Sequence, residues 1–162
     1  MTTETKTESP SGIGGWLILV LLGLLASPIR ILFYAYENFW PLYSEGLWLE
    51  FTKPSSAYYH PAFAPIVSFE IAGNALLLLI GLWTLYLFLR KSKHTPLLAI
   101  IWFATAFVFA AIDAVLIRQV PLLAAEVTGY DAFKEIVGSA LRATIWIPYF
   151  LISKRVKATF TR

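Results

Sequence analysis

The sequence predicts an all-α fold, a four-span transmembrane helical bundle running up-down-up-down, and three observations carry that prediction. Of 162 residues, 58% are hydrophobic and 14% charged, against about 25% charged in an ordinary soluble domain. The apolar residues gather into long runs, and a helix needs about 20 of them to cross the hydrocarbon. The basic residues collect beside the ends of those runs. The net charge of +3 is therefore a topology signal and not a surface for nucleic acid.

The first span covers residues 13–36 and meets no charge before Arg30. Ahead of it, residues 1–11 are rich in Thr, Glu and Ser and predict a disordered cytoplasmic tail, because they have almost nothing to bury. That tail carries Glu4, Lys6 and Glu8 in place of a positive region, and Ala26-Ser27-Pro28 is a poor cleavage site. The first span thus reads as a retained helix, and residues 12–162 as a single transmembrane domain. The second span, 66–89, and the third, 96–117, share a link holding Arg90, Lys91 and Lys93. The fourth, 132–153, is less plain: its apolar run over 143–152 is too short alone and reaches full length only by taking Arg142 into the membrane. Pro28 and Pro148 fall inside spans, where each frees a backbone carbonyl and can kink the helix.

Between the first two spans lies a segment dense in rings, with Phe39, Trp40, Tyr43, Trp48, Phe51, Tyr58, Tyr59 and Phe63. Amphipathic rings settle at the membrane surface. Trp40, Tyr43, Leu47 and Phe51 have helical spacing, which predicts a short interfacial helix before an extended stretch through Pro54, Pro61 and Pro65. The functional alternative to an aromatic belt is a lid over the polar layer, or a docking face.

Orientation follows Lys and Arg near the span ends. The 90–93 link and the tail with Lys154, Arg155, Lys157 and Arg162 belong in the cytoplasm, so both termini are expected there. Lys154, Arg155 and Lys157 are also expected to contact anionic lipid head groups.

Helical rise then sorts the charges that lie inside the spans. At roughly 1.5 Å per residue, Arg30 lies about 26 Å from the cytoplasmic start of its helix, Glu70 about 30 Å, Asn74 about 24 Å and Asp113 about 26 Å. Arg142 lies deeper, at about 18 Å, but its long stem can carry the guanidinium outward. The sequence therefore predicts an intramembrane polar network of Arg30, Glu70, Asn74, Asp113 and Arg142. Small or polar neighbours accompany each charge: Gly23 and Ser27 beside Arg30, Gly81 on the Glu70 stripe, Ala106, Ala110 and Ala114 beside Asp113, and Ser139 with Trp146 beside Arg142. Such stripes let helices approach and pair the charges away from lipid. Insertion tolerates them, since a central acid costs about 2.5 to 3.5 kcal/mol while each leucine returns about 0.3 to 0.6.

Catalytic and metal chemistry find little support. With no cysteine and two histidines, thiolate metal sites and cysteine nucleophiles are excluded. His60 and His94 fall on opposite sides of the bilayer. No glycine-rich phosphate loop, H-E-x-x-H or serine–histidine arrangement occurs. No cofactor is expected, and the chain is not expected to be an enzyme.

Several segments carry a family likeness: Gly12-Ile13-Gly14-Gly15-Trp16-Leu17 with Pro28, Phe51-Thr52-Lys53-Pro54-Ser55, Tyr58-Tyr59-His60-Pro61, Phe69-Glu70 with Gly73-Asn74, Asp113, and Arg142 with Ile145-Trp146-Ile147-Pro148-Tyr149 and Ser153-Lys154-Arg155-Val156-Lys157. They resemble a bacterial inner-membrane family of unknown function, domain of unknown function 2569. The resemblance spans nearly all of the chain after the tail and implies a four-helix bacterial inner-membrane protein. It implies no activity and no catalytic residue.

The leading expectation is a non-enzymatic accessory or assembly protein whose buried Arg/Glu/Asp network fixes the bundle. The alternative is a small transporter or ion- or proton-conducting protein with an outward-facing polar cavity. Expected partners are membrane lipids, together with a membrane-protein partner or a second copy of the chain.

Overall fold

A computed structural model describes residues 11–126 and 129–162. The disordered tail expected over residues 1–11 lies, apart from its last residue, outside the described residues. Among the described residues seven helices follow in order: α1 (Trp16–Ser44), α2 (Leu47–Thr52), α3 (Phe63–Leu89), α4 (Thr95–Ile117), α5 (Pro121–Glu126), α6 (Gly129–Ile152) and α7 (Lys154–Thr159). Four of them, α1, α3, α4 and α6, are long and apolar enough to cross a membrane, so the protein is an all-α, multi-pass membrane protein. Its outward surface fits lipid: Ile29, Leu79, Val115 and Leu151 are all exposed. Such residues would be costly in water and are at home in hydrocarbon.

Local chemistry sets the helix ends. Gly15, at φ 56°, turns the chain into α1, a conformation costly to any residue with a Cβ. At the far end α1 does not stop where its apolar run stops; it continues through Pro41 to Ser44. Gly46, at φ 73°, separates it from α2. The helical spacing of Trp40, Tyr43, Leu47 and Phe51 therefore belongs to two elements, with Trp40 and Tyr43 on α1 and Leu47 and Phe51 on α2. Helix α3 closes in a Schellman turn: Ser92 N–H donates to the Leu87 carbonyl and Lys91 N–H to that of Phe88, each at 3.0 Å. Lys91 takes the left-handed position, φ 53°.

The bundle packs α1 on α3, α3 on α4 and α4 on α6. Its two ends differ in character. The end formed by the α3–α4 link and α7 is basic, and there all four long helices share one core. Leu17, Val20 and Leu24 of α1 meet Phe88 of α3, Ala99 and Phe103 of α4, and Ala143 and Phe150 of α6. Helix α7 completes this core with Val156, joined by Phe160 just beyond its end. It is tied down by Thr159, whose Oγ1 accepts from the Gly12 N–H at 3.0 Å and donates to the Gly12 carbonyl at 3.1 Å. Arg162 N–H then donates to the Lys91 carbonyl at 3.3 Å, which joins the end of the chain to the α3–α4 link.

The opposite, aromatic end has a smaller core of Phe63, Ile66, Val67 and Val120, covered by Trp48 and Phe51 of α2. Between the two cores α1 and α6 share little contact among the described residues. Trp16 and Trp146 meet edge to face, 6.1 Å between centroids, near the basic end. Toward the aromatic end Arg30 reaches Glu135. The space between those two bridges is the cavity.

Candidate functional site: a charged cavity between α1 and α6

The cavity measures about 680 Å³, within the range of roughly 300–1,000 Å³ typical of small-molecule sites. Its floor is apolar, with Val20, Leu77, Phe103 and Trp146, and its upper wall carries charge. All five residues of the expected network line it: Arg30 from α1, Glu70 and Asn74 from α3, Asp113 from α4 and Arg142 from α6. Tyr34, Asn38, Arg118 and Glu135 line it as well.

The pairs that form are not those expected from matching depth. Arg30 Nη1 lies 3.5 Å from Glu135 Oε2, and Arg142 Nη2 lies 3.4 Å from Glu135 Oε1. One carboxylate thus serves two guanidinium groups. Helix direction explains the Arg142 pair, because side chains on a helix lean toward its N-terminus. The guanidinium runs back over Gly138, where a Cβ would stand 3.3 Å from Nη1, and meets Glu135 two turns earlier. The three side chains are far from sealed, with 66% of Arg30, 47% of Arg142 and 51% of Glu135 exposed.

Glu70 and Asp113 occupy the opposite wall. Glu70 is buried and Oε1 accepts from the Tyr34 hydroxyl. Among the described residues neither carboxylate has an arginine or lysine within ion-pair distance. Asp113 Oδ1 is buried without a hydrogen-bond partner there. Asn74 contributes no cross-helix bond through its amide N–H, which donates to the Glu70 carbonyl of its own helix at 2.9 Å. Asn38 does the same with Tyr34.

The small-residue stripes divide between two roles. Ala106, Ala110 and Ala114 line the cavity, so the space they leave is unfilled by a neighbouring helix. Gly81 lies against Trp102, whose Nε1–H donates to the Leu77 carbonyl at 3.2 Å and binds α4 to α3. None of the described residues of α2 or the loop after it lines the cavity; the aromatic segment covers the smaller core instead of acting as a lid. Of the basic residues near the end of the chain, Lys154 and Lys157 are exposed, whereas Arg155 is folded against Gly14 and Gly15.

Glu135 lines the cavity but is left out of the network expected from the sequence, although it falls within the fourth span, 132–153. Its signal was available, since Glu135 and Arg142 stand seven residues apart and so on one helical face. Tyr34 carried no comparable signal, as a tyrosine near a span end reads as part of the aromatic belt.

No curated protein and no solved structure matches the chain. A family profile described as a protein of unknown function, DUF2569, matches residues 10–161. With that match covering nearly the whole sequence, the chain belongs to the DUF2569 family.

Proposed function

We propose that this is a non-enzymatic protein of a bacterial inner membrane, with both termini cytoplasmic, that holds a small polar or amphipathic solute in the cavity between α1 and α6 as a transporter or binding protein. One observation carries the reading: a cavity of about 680 Å³ lined by six charged side chains, three of them between 47% and 66% exposed. A sealed ionic lock would bury its charges, because desolvated pairs hold helices in register without water. Half-exposed pairs beside an unpartnered carboxylate oxygen fit a hydrated site that receives something. The positive-inside rule puts the basic end in the cytoplasm and turns the charged part of the cavity outward.

The accessory or assembly reading rests on a different observation. Arg30 and Glu135 join α1 to α6 where those helices otherwise stand apart, so the network would fix the bundle for a membrane-protein partner or a second copy. Under either reading lipids are partners, and exposed Lys154 and Lys157 suit anionic head groups.

The natural chain has no cysteine, which makes single-cysteine labelling direct. Ser27→Cys and Ala110→Cys should react with a membrane-impermeant thiol reagent added outside intact cells, while Ser92→Cys should react after permeabilisation alone. Leu79→Cys, on the lipid-facing surface, should stay unlabelled. Cavity positions as inert as Leu79→Cys would reject the open-cavity reading and leave the assembly one.

A further inference from the structure

The charges of the cavity are segregated by wall. On the α1 and α6 side, Arg30 and Arg142 share the single carboxylate of Glu135, which leaves one formal positive charge in excess; Arg118 adds another at the end of α4. On the α3 and α4 side stand Glu70 and Asp113, with no cation at ion-pair distance among the described residues. Asp113 Oδ1 is buried and lacks a donor. The α1 and α6 wall thus keeps a positive charge that Glu135 does not neutralise, and the α3 and α4 wall keeps two carboxylates that no cation meets at ion-pair distance among the described residues. A simple anion would meet the two carboxylates, and a simple cation would meet the arginines. A head group carrying both signs satisfies both walls.

Below this charged part the lining turns apolar, through Val20, Leu77, Phe103 and Trp146. Leu19 of α1 lines this part of the cavity and is itself 52% exposed, so the apolar lining continues onto the outer surface that fits lipid. A molecule can therefore enter sideways from the bilayer with its tail still in apolar surroundings.

Building on the cavity reading above, we propose that the ligand is a zwitterionic amphiphile: its anionic group lies against Arg30 and Arg142, its ammonium group against Asp113 and Glu70, and its apolar chain along the floor between α1 and α6. Such a head group sets a positive charge beside the Asp113 carboxylate, whose Oδ1 is buried and unpartnered among the described residues. It also gives the two guanidinium groups the second acceptor that one shared carboxylate does not provide.

The test uses the full chain in maltoside micelles with Ser27→Cys as reporter and Ser92→Cys as an off-cavity control. Four probes are compared at equal, low mole fraction: dodecylphosphocholine, dodecyltrimethylammonium, dodecyl sulfate and tailless phosphocholine. Dodecylphosphocholine should slow labelling at Ser27→Cys about tenfold more than each of the other three, with no change at Ser92→Cys. Adding Asp113→Asn should move the strongest protection to dodecyl sulfate, and adding Arg142→Gln should move it to dodecyltrimethylammonium. Equal protection by the three tailed probes would overturn the proposal, as would protection by phosphocholine that matches the tailed zwitterion. The ranking in the unaltered cavity needs neither charge variant, so a misfolded variant leaves the test intact. If Ser27→Cys reacts but no probe ranking appears, the zwitterion proposal fails while the open cavity stands; if Ser27→Cys never reacts, the cavity reading itself fails.

Discussion

Gly73 and Gly14 both face another part of the chain closely, and they should respond differently to the same methyl group. A Cβ at Gly73 would run into the ring of Phe109, which packs against Phe69 with centroids 5.4 Å apart. At Gly14 it would meet Nη1 of Arg155 at 2.5 Å, the free end of a flexible side chain that can swing away. Gly73→Ala should therefore lower stability by about 1–3 kcal/mol through overpacking, and Gly14→Ala should leave it nearly unchanged. Thermal unfolding in detergent checks this, and Phe109→Leu should recover much of the loss as a coupled pair. Equal melting temperatures for the two alanine variants would contradict the close α3–α4 approach. At this scale the sequence was partly legible. Arg30, Glu70, Asn74, Asp113 and Arg142 were all singled out and all line the cavity, because an ionisable group inside a span is rare enough to stand out. Their partners were not legible. Depth along a helix follows from counting residues, whereas pairing depends on side-chain direction and on which helices separate.

Helix α7 makes the corresponding point for elements. Its six residues look like a basic tail, yet its apolar side closes the core. Ser153 caps it, the hydroxyl accepting from the Val156 N–H at 3.4 Å, and Phe160 just beyond lies 5% exposed against Phe88 and Phe150. Phe160→Ala should destabilise the protein by about 3–5 kcal/mol, as for other buried aromatic truncations. Lys154→Ala, on the exposed side, should stay within about 0.5 kcal/mol. Denaturant titration of the solubilised protein separates the two, and a Phe160→Ala variant as stable as Lys154→Ala would show that α7 is dispensable for folding. Charge counts marked this segment as a topology signal and hid its packing. Similarly, hydropathy marked where the first apolar run ends but not where α1 ends. A charge such as Glu37 leaves a helix intact, and the chain turns at Gly46, where φ is positive.

Across the whole molecule, the bundle is closed at its basic end by a shared core and divided toward its aromatic end by the separation of α1 from α6. The four-span class was readable from composition and run length, since lipid leaves helices as the way to satisfy the backbone within such runs. The cavity was not readable, because the same alanine stripe serves a tight helix interface or an open wall, and the packing of α6 decides between them. Ala106, Ala110 and Ala114 form the open wall here. Filling that space tests directly whether the cavity holds a ligand. Wild-type protein and Ala110→Trp, purified alike from native membranes, should be compared by native mass spectrometry with identification of every small molecule retained. The wild type should carry a bound species that Ala110→Trp lacks, with both proteins melting at similar temperatures. The same bound species at the same occupancy in the two proteins would contradict a ligand site between α1 and α6.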